Sequence, residues 1–272
     1  MSERKKYPKE VLDEHLGNIS EKLTSKVEVY VIGGYALMVH SLRRMTKDVD
    51  IVFMDEKSMR TFTRAAKSVG FKGPEDLPDE YKALGSRNIL DAPDGVRFDI
   101  FVVTVCDALS VSSSMFQRAT VQPVKGNLSL HIATPEDIFL FKSITNREDD
   151  LEDMARMVGP KFQLAIIEQE IQEQKDSWIW LNRVYARLLE FEEAKGIVSP
   201  LIRRLEKDAE VYQAMGMVLE KLEDGPMGKK EIKALLKEDD TDFIDAVVLE
   251  LVTRDLVNKK NGNLIKKKNH NR

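Results

Sequence analysis

The chain has little that would staple it, anchor it or gather a soft metal. One cysteine, Cys106, stands in 272 residues. That excludes an internal disulfide framework, and the apolar run before it marks a plain buried thiol rather than a reactive one. Aromatics make up only 7%. No apolar run is long enough to cross a bilayer, and residues 1–8 lack the apolar stretch of a secretory signal, so a cytoplasmic protein with no membrane partner is expected. The histidines, His15, His40, His131 and His270, have no metal-ligand spacing, and no zinc is expected. Neither sign of charge dominates: 42 Lys and Arg face 46 Asp and Glu. The chain as a whole is therefore no polyanion binder, although residues 259–272 are basic and 148–153 acidic.

What is present is an alternation of helical and extended patterns in a chain long enough for roughly two domains. Val11, Leu12, Leu16, Ile19 and Leu23 recur at helical spacing within 8–25. The β-branched run 27–32 predicts a strand. Gly33 and Gly34 break it, and a helix follows over 35–42. A second strand is expected over 48–54 and an amphipathic helix over 55–69. The Pro-punctuated stretch 71–94 reads as a loop with short helical pieces. A third strand spans 96–104. Shorter β segments near 118–124 and 128–132 flank a turn at 125–127. Thr134, Pro135 and Asp137 have the chemistry of a helix start: a hydroxyl cap, a proline at the first helical position and a carboxylate at the capping-box position. That helix should reach about Thr145, with another over 149–158.

Gly159 and Pro160 mark the first expected boundary. The expected divisions are 1–159, a helical section over 160–205, and 206–272. In the last, helices over 208–222, 230–236 and 242–254 precede a hairpin over 256–266 with Asn261-Gly262 at its tip.

The stretch from Tyr30 to Phe53 carries most of the chemistry. Glycines at a strand-to-helix turn let backbone approach a ligand and turn amide N–H groups towards a phosphate; the bland alternative is a turn with no ligand. Asp48 and Asp50 are two apart on a strand, so they project from one face. Side by side they repel and raise each other's pKa unless a cation neutralises them. Hard divalent ions such as Mg²⁺ take carboxylate oxygens of this kind. Asp99 sits between Phe98 and Ile100 in an apolar strand, where an ionised group needs a partner; a structural pair with Arg97 is the alternative to a catalytic role. Arg43, Arg44, Thr46 and Lys47 form a basic, hydroxyl-bearing loop before the acidic strand. Lys142 stands on a largely apolar helix, where an inward-pointing role is expected.

The turn Gly33-Gly34 followed by Asp48-Val49-Asp50 resembles the motif of the DNA polymerase β-like nucleotidyltransferase superfamily. Within it the chain looks most like the branch of AbiEii/MenT-type toxin nucleotidyltransferases. Arg44-Met45-Thr46-Lys47-Asp48-Val49-Asp50 matches an Arg-x-Thr-x-Asp-x-Asp pattern. The stretch Arg147, Asp150, Asp153 resembles an Arg-x-Lys-Asp-x-x-Asp stretch, with Asp149 in place of the lysine; Gly34 stands where many members carry serine. The resemblance implies an α/β (α+β) fold, a small mixed sheet flanked by helices. It further implies Mg²⁺ (or Mn²⁺) on Asp48, Asp50 and Asp99, with Asp99 helping to activate the attacking hydroxyl. An NTP would then bind at Gly33, Gly34, Arg44, Thr46, Lys47 and Lys142. NMP would pass to a hydroxyl acceptor, an RNA or tRNA 3′ end or a protein. Asp150 and Asp153 are expected to orient Lys142 or Arg147. A toxin role would imply an antitoxin partner.

The last section resembles a winged helix-turn-helix domain, with Lys259, Lys260, Lys266, Lys267 and Lys268 placed to touch RNA or DNA phosphates. The preceding helix is acidic and apolar and lacks the side chains that read base edges, so homodimerisation or tRNA-backbone contact fits at least as well as DNA reading. The alternative for the whole chain is a non-catalytic nucleic-acid-binding or regulatory protein on a nucleotidyltransferase scaffold. The enzyme reading requires Asp99 to lie beside Asp48 and Asp50 in one shared pocket.

Overall fold

The helical and extended patterns in the chain form an α+β architecture. The computed structural model describes residues 4–74, 79, 82, 85–145, 147–174, 177–197 and 200–267. Lys9–Ser20 (α1) leads to Val27–Ile32 (β1), Gly33–Val39 (α2), Asp48–Phe53 (β2) and Glu56–Ser68 (α3). Then come Asn88–Asp91 (β3), Arg97–Val102 (β4), Thr104–Val105 (β5), Leu109–Ser110 (β6) and Ser113–Arg118 (α4). Thr120–Val124 (β7), Leu128–Ile132 (β8), Pro135–Ser143 (α5), Glu148–Met157 (α6) and Leu164–Glu173 (α7) follow.

Eight strands make one mixed sheet in the order β6-β5-β4-β2-β1-β8-β7, with β3 paired to β4 off that path. β1 runs antiparallel to β2 and parallel to β8, while β2 runs parallel to β4. β1 is buried at every position but Glu28, as expected of a central strand covered on both faces. Around it Phe53, Phe62, Phe71 and Phe98 pack ring against ring, at centroid distances of 5.0 to 6.1 Å. These contacts fix β2 and β4 side by side, and their register sets the site: Asp48 lies opposite Arg97 and Asp50 opposite Asp99.

Most expected elements are found, and the differences have local causes. The loop expected over 71–94 contains β3, four residues with too short a pattern to be seen; residues 75–78, 80–81 and 83–84 of that stretch lie outside the described residues. The short β5, β6 and α4 escape periodicity for the same reason. The helical cap is as expected, with Thr134 Oγ1 accepting from the Asp137 N–H at 3.3 Å.

Gly159 and Pro160 fall within the first of two compact units. The chain forms two units, one of residues 1–177 with 193–196 and one of 178–192 with 197–272. The section expected over 160–205 is thus shared between them. α7 belongs to the first because its Glu170 is fully buried and needs partners there. Glu170 Oε1 accepts from Arg118 Nη2 at 2.6 Å and from Ser112 Oγ at 3.0 Å.

In the second unit, Ser177–Lys195 (α8, mostly in this unit), Pro200–Lys221 (α9), Lys229–Leu236 (α10) and Thr241–Thr253 (α11) precede Val257–Lys260 (β9) and Asn263–Lys266 (β10). α9 starts at Pro200, earlier than the expected 208. Trp178 packs against a core that includes Met215, Val218, Ile244, Val247 and Leu251. β9 and β10 are antiparallel, and Asn261 and Gly262 at the tip have φ of 52° and 82°, the left-handed pair of a tight hairpin turn. Among the described residues, no helix is long and apolar enough to cross a membrane.

Candidate functional site

A cleft of about 260 Å³ opens where β1 ends, and all three sequence-selected carboxylates, Asp48, Asp50 and Asp99, line it. The period-two geometry of β2 puts Asp48 and Asp50 on one face, and the parallel pairing with β4 adds Asp99 directly beside Asp50. Ile32, the last residue of β1, lies opposite Asp50. Hence Gly33 and Gly34 meet the acidic strand as the chain turns into α2. Gly33 has φ +67°, and a Cβ there would lie 1.9 Å from Asp50 Oδ2; one on Gly34 would lie 2.1 Å from Thr46 Oγ1. Both glycines are therefore needed for backbone to close on Asp50 and Thr46, whatever ligand the cleft takes.

The electrostatics of the trio are unfavourable as it stands. Burial, then the charge of Asp48, raises Asp50 to about 7, against the pull of Arg147 and Lys142. Burial, Asp48 and Asp50 push Asp99 well above the carboxylate range. Asp99 is 5% exposed, and its Oδ1 has no hydrogen-bond partner among the described residues. Asp48 accepts from Arg4 Nη2 at 2.6 Å. The donor set is all hard oxygen and suits Mg²⁺ or Mn²⁺, and the orphaned Asp99 oxygen is of the kind a cation would satisfy. Among the described residues, however, no three metal-ligating side chains already stand gathered for an ion.

α5 and α6 supply the opposite wall. Lys142 Nζ donates to Asp150 Oδ1 at 2.5 Å and lies 2.9 Å from Asp153 Oδ2. Burial works against its charge, but Asp150 and Asp153 outweigh burial and its pKa is raised. Asp150 and Asp153 thus orient the lysine, leaving one of its three donors for a ligand. Asp153 also accepts from Arg43 Nη1 at 2.8 Å and from Arg156 Nη1 at 2.9 Å. Arg147 faces the trio: burial disfavours its charge, but Asp50, Asp150, Asp48 and Asp99 together raise its pKa.

Thr46 and Lys47 line the cleft as expected, Thr46 being buried. Arg43 lines the cleft, and Asp153 draws it inwards. Arg44 is exposed and, with Arg43, Lys6 and Arg156, lines a neighbouring hollow of about 610 Å³.

Sequence reasoning missed Arg4, which carries no motif. It also missed a small apolar lobe behind Asp50 and Asp99, lined by Phe101, Val105, Cys106, Ile138 and Phe141; these looked like core positions only. Cys106 is buried, as expected. His40 bonds the Ala133 carbonyl at 2.8 Å and His131 stacks on Phe116, while His270 lies outside the described residues.

The hairpin lysines divide. Lys259 and Lys260 are exposed on β9. Lys266 is paired with Glu223 and Lys267 with Asp255, so these two are less available than expected. Lys268 lies outside the described residues.

No protein-family model matches the chain, and no curated protein matches it. Among solved structures, JHP933 from Helicobacter pylori is 14% identical, with 91% of this chain and 94% of that one covered at a TM-score of 0.35. A protein provisionally named a nucleotidyltransferase, also from H. pylori, is 14% identical over 89% of this chain and 96% of its own, at a TM-score of 0.34. Scores this low do not establish a common fold.

Proposed function

We propose that the protein is a metal-dependent nucleotidyltransferase that moves NMP from an NTP to a hydroxyl acceptor. One observation carries this reading. Asp50 and Asp99 are register partners on adjacent strands, with Asp48 on the same face and a diglycine turn closed onto them. Three carboxylates so placed are costly to fold without a cation. Six carboxylates and five Arg or Lys side chains line the cleft; with a divalent ion bound and all six ionised, the balance is one positive charge, which suits a polyphosphate.

Asp48, Asp50 and Asp99 would hold the Mg²⁺ or Mn²⁺. When bound, such an ion supplies charge neutralisation at the triphosphate and the attacking oxygen. Arg147, Lys47 and the remaining Lys142 donor, which line the cleft, would bind phosphate oxygens and orient the α-phosphorus. With the ion bound and its carboxyl ionised, Asp99 would accept the proton of the acceptor hydroxyl. The hydroxyl oxygen bonds to the α-phosphorus as the α–β bridging bond breaks and pyrophosphate leaves. An RNA or tRNA 3′ end or a protein hydroxyl is the acceptor of this chemistry, and a toxin-like use would follow from that choice.

The test is incubation with each labelled NTP, Mg²⁺ and total RNA, or total protein. Label is expected on one macromolecule, and Asp50→Asn should reduce it by roughly two orders of magnitude or more. No labelling with any NTP, or full labelling by the variant, would remove the proposal. The second reading, a nucleic-acid-binding protein, is favoured by Lys259 and Lys260, exposed on β9 with no ion pair among the described residues. It predicts binding that survives loss of Asp48 and Asp50.

A further inference from the structure

The carboxylate cleft already contains a cation belonging to the chain itself. Arg4 Nη2 donates to Asp48 Oδ2 at 2.6 Å, and Arg4 lines the cleft with Asp50 and Asp99. Its other amino group, Nη1, is buried with no hydrogen-bond partner among the described residues. A guanidinium desolvated in this way has lost water on one side without a compensating bond, so its hold on the site is weaker than a fully bonded arginine's.

Three residues later the chain is pinned. Tyr7 is buried and exchanges two backbone hydrogen bonds with Thr46, its N–H donating at 2.7 Å and its carbonyl accepting at 3.1 Å. Its hydroxyl donates to the Asp94 carbonyl at 2.7 Å. Arg4 therefore sits on a short segment tethered at Tyr7. The side chain can leave Asp48 without breaking any of those bonds.

A divalent ion held by Asp48 would compete with Arg4 for its carboxylate. The three carboxylates are neighbours, yet they are not gathered as ligands among the described residues, and Asp48 is the member engaged by Arg4. Resting on the reading of the cleft as a metal site, we infer that Arg4 is an internal stand-in for the ion, a strap that neutralises Asp48 until a divalent cation displaces it. One positive charge is exchanged for two among the acidic residues, and Nη1 is released from its unpartnered position. Metal binding and release of Arg4 are then one linked equilibrium, so weakening the strap strengthens metal binding by the same factor.

Mn²⁺ titration of the full chain, with free Mn²⁺ read by electron paramagnetic resonance and no nucleotide present, tests this. Arg4→Ala should bind Mn²⁺ about tenfold more tightly than wild type, the order of a typical coupling, and Arg4→Lys should fall between them. In wild type, added Mn²⁺ should speed tryptic cleavage after Arg4. Equal or weaker binding by Arg4→Ala, with wild type still binding, overturns the strap and leaves the metal site standing. No Mn²⁺ binding by either protein overturns both. Should Arg4→Ala fail to fold, the tryptic rate of wild type decides, and a rate unchanged by bound Mn²⁺ overturns the strap.

Discussion

A β-carbon on Gly33 would sit 1.9 Å from Asp50 Oδ2 and would have to accept φ +67°. Gly33→Ala is expected to destabilise the protein by roughly 1–3 kcal/mol, through strain and displacement of Asp50, measured by urea unfolding. A variant as stable as wild type would show that the turn relaxes freely. Asp50 itself gives a pH signature. Its proton stays on to about pH 7 in the folded chain, against an ordinary value of 3.8. Between those values the folded state binds the extra proton, so Asp50 contributes stability at low pH that is lost as pH rises towards 7. Asp99 acts with the same sign. In chelator, the melting temperature should fall between pH 5 and 7.5, and Asp50→Asn should flatten that fall. Mn²⁺ should restore more stability at pH 7.5 than at pH 5. A melting temperature that rises over this range without metal would contradict the burial of both carboxyls.

Elements hold the two walls of the cleft in place by different means. β2 and β4 are set by a continuous ladder and an aromatic core, so the carboxylate wall is rigid by construction. The α5 wall depends on ions. Arg118 at the end of α4 bonds both Asp137 on α5 and Glu170 on α7, while the Tyr30 hydroxyl of β1 donates to Asp137 at 3.0 Å. Glu170 is fully buried, so its partners have no water to replace it. Glu170→Ala is expected to cost about 3 kcal/mol in chemical denaturation, as for a broken buried pair, and to loosen α7. Asp137 still holds Arg118 in that variant, which keeps the loss from being larger. A loss too small to measure would mean that α7 docks through its apolar face alone.

The two units carry different chemistry: an acidic cleft in the first, and in the second a hairpin whose Lys259 and Lys260 are exposed, with no ion pair among the described residues. Under the nucleic-acid-binding reading, full-chain binding to RNA should weaken with salt. Lys259→Ala with Lys260→Ala should lower the slope of log affinity against log salt by roughly 0.7–0.9 per lysine. Lys266→Ala should change it less, because that lysine is already paired with Glu223. Equal effects from all three lysines would show that the intramolecular pair does not persist.

Much of this was legible in the chain alone. β1, β2, β8, the α5 cap and the Asn261-Gly262 hairpin follow from local rules: β-branched runs, period-two alternation, a hydroxyl before a proline, and residues that tolerate positive φ. Asp48 and Asp50 share a face by the same period. Contacts distant in sequence were not legible, because they depend on register and on which charged group reaches a buried one first. The Asp50–Asp99 pairing needed β2 to run beside β4. Arg43 rather than Arg44 turns inwards because Asp153 comes to it from α6, and α7 joins the first unit because Glu170 meets Arg118. Arg4 on Asp48 spans 44 residues. No local pattern encodes such a meeting, since the two groups come together only once the chain has closed around them.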